Sequence, residues 1–140
     1  MTRSEILEFV KRNPMSFMAT VENGEPRVRG MGIPVVDEKG LVFGTGTGKQ
    51  VCRQLLANPS VELCFWSQEE RTQIRLRGKM EIVNDPDLLR HIVETVFTFL
   101  KPVVEKHGWE SLTLFRFPKG KALLWSAQDP AAVSTAECEF

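Results

Sequence analysis

Arg29 lies in the run Arg27-Val28-Arg29-Gly30-Met31-Gly32, and further along the chain reads Gly44-Thr45-Gly46-Thr47-Gly48-Lys49. These residue types in this order suit a phosphate. The glycines let backbone amides approach an anion, Thr45 and Thr47 offer hydroxyl donors, and Arg29 and Lys49 supply positive charge. Glycine and threonine alone also make ordinary hairpin loops, so the reading depends on the two cations. Lys49 stands at the start of a predicted helix, where the helix dipole disfavours a cation and a bound anion would offset it.

The spacing excludes two familiar phosphate motifs. A P-loop has Ser or Thr directly after its lysine, and here Gln50 follows Lys49. A dinucleotide fingerprint needs a third glycine inside the helix of a βαβ unit, and that position is not glycine. Neither a nucleotide triphosphatase nor a Rossmann dehydrogenase is expected. A small phosphorylated ligand held in another fold remains.

The elements that must hold these residues read mostly as short strands. A capping box at Thr2-Arg3-Ser4-Glu5 opens a helix that Asn13-Pro14 ends. A strand from Met15 to Val21 turns at Asn23-Gly24, and Pro26 opens a second strand running to about Val36. Asp37 to Gly40 is a further turn, and Leu41-Val42-Phe43 is a third strand leading into the glycine loop. Val51, Leu55 and Leu56 carry a helix from Lys49 to Asn58, followed by a strand from Val61 to Trp66. Thr72 to Val83 alternates as one long strand with Gln73, Arg75 and Arg77 on one face. A helix is predicted over Asp87 to Leu100, closed by Lys101-Pro102, with a helical turn at Val103 to His107. Strands at Leu112 to Phe117 and Ala122 to Trp125 come last, and residues 126–140 read as a loose tail.

The chain of 140 residues, with 42% hydrophobic content, fits one domain over 1–140. Its 18 basic and 18 acidic side chains cancel, so no nucleic-acid partner is expected and anion selectivity must be local. No apolar run approaches the ~20 residues of a membrane span, and no signal peptide is read, so the expectation is a cytoplasmic protein with no membrane partner. Cys52, Cys64 and Cys138 lack the spacing of a zinc site, and His91 and His107 have no metal-spaced partner, so no metal is expected. Nothing supports a hydrolytic triad.

The pieces Phe17-Met18-Ala19-Thr20, Gly24-x-Pro26-x-x-Arg29, Gly40-Leu41-Val42-Phe43-x-Thr45, Lys49, Leu55-x-x-Asn58-Pro59-x-Val61 and Gln73-Ile74-Arg75-Leu76-x-Gly78 occur in order. Together they resemble the pyridoxamine 5'-phosphate oxidase-like family of FMN-binding split barrels. The resemblance implies a mainly β fold, a six-stranded antiparallel split β-barrel with flanking helices, paired as a homodimer with FMN at the interface. It assigns the FMN phosphate to Arg29 and Lys49, with Thr45 and Thr47 as donors around it. The backbone of Gly30, Met31 and Gly32 would lie along the isoalloxazine ring, and Gln73 would hydrogen-bond the cofactor. Trp66, Trp109 and Trp125 suit a core or an interface, with Trp125 the candidate to cover the flavin from the second subunit. The implied activity is an oxidoreductase passing electrons between a reduced nicotinamide or similar donor and a small acceptor. A non-catalytic flavin-binding or storage protein, or a barrel for the deazaflavin F420 or haem, are the alternatives. The oxidases proper carry a C-terminal arginine and histidine for substrate phosphate. Ala131 to Phe140 contains neither, so vitamin B6 oxidation is not expected.

Overall fold

The computed structural model describes residues 1–131 and 137–140. Helix α1 (Arg3–Arg12) starts on the expected capping box, with the Glu5 amide donating to Thr2 Oγ1 at 3.2 Å and the Thr2 amide to Glu5 Oε2 at 2.7 Å. Its apolar face, Ile6, Leu7, Phe9 and Val10, is buried. Strands β1 (Met15–Glu22) and β2 (Glu25–Gly32) form a hairpin turning at Asn23 and Gly24, whose φ values of 53° and 78° suit the Asn-Gly pair.

Two expected strands are each split between sheets. The strand from Pro26 stops at Gly32, because Pro34 has no amide to continue a ladder and the Ile33 amide instead donates to Pro14 O at 2.9 Å. The chain then enters β3 (Val35–Asp37) in a different sheet. Thr72 to Val83 likewise divides into β6 (Thr72–Lys79) and β7 (Glu81–Val83), with Met80 buried between them and its amide donating to Pro59 O at 2.9 Å. Within β6 the alternation holds: Ile74 and Leu76 are buried, and Gln73, Arg75 and Arg77 face outward.

The remaining elements are β4 (Gly40–Gly46), α2 (Gln50–Ala57), β5 (Ser60–Ser67), α3 (Pro86–His91), α4 (Lys101–His107), β8 (Leu112–Phe117), β9 (Gly120–Ser126) and β10 (Glu137–Glu139). One antiparallel sheet has the order β10-β9-β6-β5-β1-β2, and a second has the order β3-β4-β8-β7. The mainly β, antiparallel architecture with peripheral helices is as expected. The strands, however, divide between these two sheets, and the barrel is not closed. The core between them centres on Phe43, Phe65, Phe115 and Phe117, covered by α1 and α2. A smaller cluster of Val42, Ile92 and Leu114 sits under α3. No helix among the described residues is long and apolar enough to cross a membrane.

The helix expected over Asp87 to Leu100 is interrupted. After α3, capped by Asp85, Ile92–Val96 form a π-helical turn and Phe97 leaves the helical region at φ −108°, ψ 66°. Lys101-Pro102 opens α4 instead of closing a helix, a position where proline's missing amide costs no hydrogen bond.

The expectation of a loose tail is corrected at both of its ends. Ser126 closes β9, and β10 pairs antiparallel with β9 through Cys138↔Ala122 and Glu139↔Lys121. Phe140 is 4% exposed, its ring 5.6 Å from that of Phe117 and 4.3 Å beneath the Arg3 guanidinium. Residues 132–136 of that tail lie outside the described residues. Phe140→Ala is expected to destabilise the protein by about 3 kcal/mol. A urea melt showing a lowered midpoint at unchanged slope checks this, and an unchanged midpoint would contradict the packing role.

Candidate functional site

Arg29 sits on the edge strand β2, opposite Met18 of β1, and its side chain reaches across β1 beneath α2. Its Nη1 donates to Thr20 Oγ1 at 2.8 Å and to Met18 O at 3.2 Å, and its Nη2 donates to Gln54 Oε1 at 2.5 Å. A guanidinium carries five N–H donors, so two remain without a partner among the described residues. All three acceptors are neutral. Burial without a counter-charge pushes the Arg29 pKa below its ordinary value. A half-buried cation held only by neutral groups is electrostatically suited to an anion.

Lys49 is the N-cap residue of α2, exposed, and its ammonium makes no hydrogen bond or ion pair among the described residues. Its stem lies over Gly46, where an added Cβ would meet Lys49 Cγ at 3.3 Å. Lys49 and Gln54, the residue Arg29 grips, are five positions apart, about 7.5 Å along the helix axis. Lys49 thus stands at the start of α2, while Arg29 meets the helix past its middle, at Gln54. The glycine loop is shorter than its sequence suggests, because Gly44, Thr45 and Gly46 continue β4 and pair with β8. Thr45 is buried at the end of that strand. Thr47 is already engaged: its hydroxyl donates to Glu110 O at 2.9 Å and lies 2.8 Å from Thr113 Oγ1, and its amide donates to Ser111 O.

Of the other predicted residues, Gly30, Gly32, Gln73 and Trp125 lie on the outer face of the six-stranded sheet. Gly30 and Gly32 pair with Phe17 and Met15, while Met31, opposite Ser16, turns inward against the core. An added Cβ on Gly30 would meet Met15 Cε at 2.9 Å, and on Gly32 the Phe97 ring at 3.0 Å, so these two side chains cover the bare strand. Gln73 stands between Trp66 and Trp125 in adjacent strands, and the two indoles stack above it with centroids 6.4 Å apart. Gln73, Arg75 and Trp125 line a groove of about 350 Å³. Gln73 is three strand spacings from β2, roughly 14 Å. Within one chain, then, Gln73 and Trp125 come together, whereas Arg29 contacts α2 at Gln54 and Lys49 stands at its N-cap.

Beside Gly32 lies an apolar groove of about 550 Å³ lined by Met15, Ile33, Pro34, Val96 and Phe97, with Lys11 at its edge. Its size falls in the range of small-molecule sites. Arg75 pairs with Glu62 at 3.2 Å, which leaves it a surface role. Burial pushes the Cys64 thiol up, the opposite of an activated nucleophile. No metal-ligating cluster occurs among the described residues.

Thr20 and Gln54 escape sequence reasoning. Gln54 sits three residues after Val51 on the buried face of α2, where its helical spacing is a usable signal, yet its polarity argues against burial.

The profile of the pyridoxamine 5'-phosphate oxidase family matches residues 2–111. A pyridoxine/pyridoxamine 5'-phosphate oxidase of Agrobacterium fabrum is 41% identical over 71 residues, covering 50% of this chain and 34% of that protein. This chain thus matches only about a third of that relative's length. A NimC/NimA family protein from Clostridium acetobutylicum superposes with a TM-score of 0.73 at 22% identity, covering 98% of this chain and 91% of the other. A pyridoxamine 5'-phosphate oxidase-related, FMN-binding protein of Nostoc punctiforme superposes with a TM-score of 0.62 at 22% identity, covering 86% and 83%. At these identities the two structures speak for the fold alone.

Proposed function

Because the chain belongs to the pyridoxamine 5'-phosphate oxidase family, which its residues 2–111 match, we propose that it binds FMN as a homodimer. In this reading it is a cytoplasmic oxidoreductase passing electrons between a reduced nicotinamide or similar donor and a small acceptor. The observation that carries the reading is Arg29: a half-buried guanidinium with only neutral partners and two N–H groups to spare. Those two groups are donors a phosphate can engage, and the unpaired Lys49 adds a second cation. FMN supplies the redox chemistry when bound, so the protein needs no acid-base constellation of its own.

The residues of the chain divide the remaining work. Arg29 and Lys49 anchor the phosphate, and Gly30 and Gly32 offer a strand with little side-chain bulk. Gln73 carries an amide able to donate and accept at a ring edge. Because Gln73 and Trp125 lie roughly 14 Å or more from β2 on the same sheet face, they serve best against the glycine strand of a second copy. Two outer faces set together would close the site and exclude water from it.

The test is direct. Purified protein should titrate with FMN to a yellow complex with bound-flavin absorbance, bind riboflavin much more weakly, and oxidise a reduced nicotinamide catalytically. Lack of FMN binding would refute the cofactor, and binding without turnover would leave a flavin-storage role in place of the oxidoreductase.

A further inference from the structure

Gln54 is 2% exposed, on a helix whose other buried residues are Val51, Cys52 and Leu55. Its Oε1 accepts from both Thr20 Oγ1 at 2.6 Å and Arg29 Nη2 at 2.5 Å, and its Nε2 donates to Glu22 Oε2 at 3.1 Å. Only this orientation of the amide satisfies all three neighbours, since the flipped form would set an NH2 group against a guanidinium and a carbonyl against a carboxylate. Glu22 thereby fixes which way Gln54 points. Its carboxylate is also engaged by Arg53 at 3.3 Å and Arg27 at 3.6 Å, and hydrogen bonds from Gln54 and Arg53 hold it below the usual carboxylate range. The row runs from Arg27 and Arg53, through the Glu22 carboxylate and the neutral Gln54 amide, to Arg29.

Arg29 has no carboxylate partner, and the Gln54 amide stands between it and the Glu22 carboxylate. We propose that Gln54 is a positioning residue of the phosphate site, orienting the Arg29 guanidinium while keeping the Glu22 carboxylate from pairing with it. The charge of Arg29 is left for the ligand. This rests on the FMN reading above and adds to it the residue that keeps Arg29 competent. A carboxylate in place of the amide would form an internal ion pair and compete with the phosphate directly.

The experiment titrates FMN and riboflavin into wild type, Gln54→Glu, Gln54→Leu, the pair Gln54→Glu with Glu22→Gln, and Arg29→Ala, with thermal unfolding of each. The paired variant restores a donor opposite the new carboxylate, so it retains the hydrogen-bond pattern, and Gln54→Leu tests the site without new charge. Every folded Gln54 variant should lose roughly tenfold or more in FMN affinity, as for one charge-assisted hydrogen bond. Riboflavin affinity should hold, so the FMN-to-riboflavin ratio falls. A merely structural glutamine would lower both flavins together or neither, and either result overturns the proposal. If Arg29→Ala lowers the ratio and the Gln54 variants leave it intact, the positioning role fails alone. If Arg29→Ala also leaves the ratio intact, the phosphate reading fails with it.

Discussion

Replacing Arg29 and Lys49 together by alanine is expected to weaken FMN binding by about two to four orders of magnitude. Each cation would contribute charge-assisted hydrogen bonds of about 1.5–3 kcal/mol, and about 1.4 kcal/mol corresponds to a factor of ten. The fold should tolerate the change. Thr20 and Gln54 still bond each other when Arg29 is gone, and Lys49 is exposed with no polar partner among the described residues. Arg29→Lys should fall between wild type and the double variant, since an ammonium keeps the charge but loses the planar fork. Riboflavin, which lacks the phosphate, should distinguish little between wild type and double variant. Flavin titration by fluorescence quenching measures all of this, and equal FMN affinities would remove the phosphate assignment.

The second large effect concerns association. The outer face of the six-stranded sheet carries Met15 and Phe17 at 57% exposure each, Val28 at 69% and Trp66 at 40%, all on neighbouring strands β2, β1 and β5. Exposed apolar side chains gathered this way mark an interaction surface, and Gly30 and Gly32 lie within the same patch. Two copies joined through it would bury the patch and wall the flavin site together. We therefore expect a dimeric mass by light scattering at low micromolar concentration, unchanged in high salt because screening weakens ion pairs and not apolar contact. Phe17→Asp, which sets a charge at the centre of the patch, should shift the mass to the monomer and reduce FMN affinity with it. Wild type that is monomeric with full flavin occupancy would end the shared-site reading.

Much of the fold is legible because local rules agree with tertiary demands. Thr2 and Glu5 cap α1 as their spacing requires, and Asn23-Gly24 makes the turn its backbone freedom suits. The crossings between sheets are not legible. Met80 continues the inward alternation of Ile74 and Leu76, yet after it the chain enters the other sheet and Ile82, the next inward position by count, is 53% exposed. A period of two says which side a residue faces, and nothing about which sheet supplies the face. In α2, Leu56 reads as core and is 57% exposed, while Gln54 is buried. Polarity misleads there because burial is set by helical position and the amide finds partners from β1 and β2. The ending Cys138-Glu139-Phe140 alternates apolar and charged residues, a strand signal masked by the small, polar stretch before it. Within the site, the residue types of Arg29 and Lys49 are visible in sequence, but the neutral partners that leave Arg29 unneutralised are known only from three-dimensional contacts.

The crossings at Ile33-Pro34 and at Met80 also govern how the molecule comes apart. Each ties a strand of one sheet covalently, over one or two residues, to a strand of the other, and each is anchored by a single amide bonded to the carbonyl of a proline, Pro14 or Pro59. Peeling either sheet away would drag β2 or β6 with it, and β6 lies in the middle of its sheet. The crossings therefore tie the melting of one sheet to that of the other, and the protein is expected to unfold as one cooperative unit.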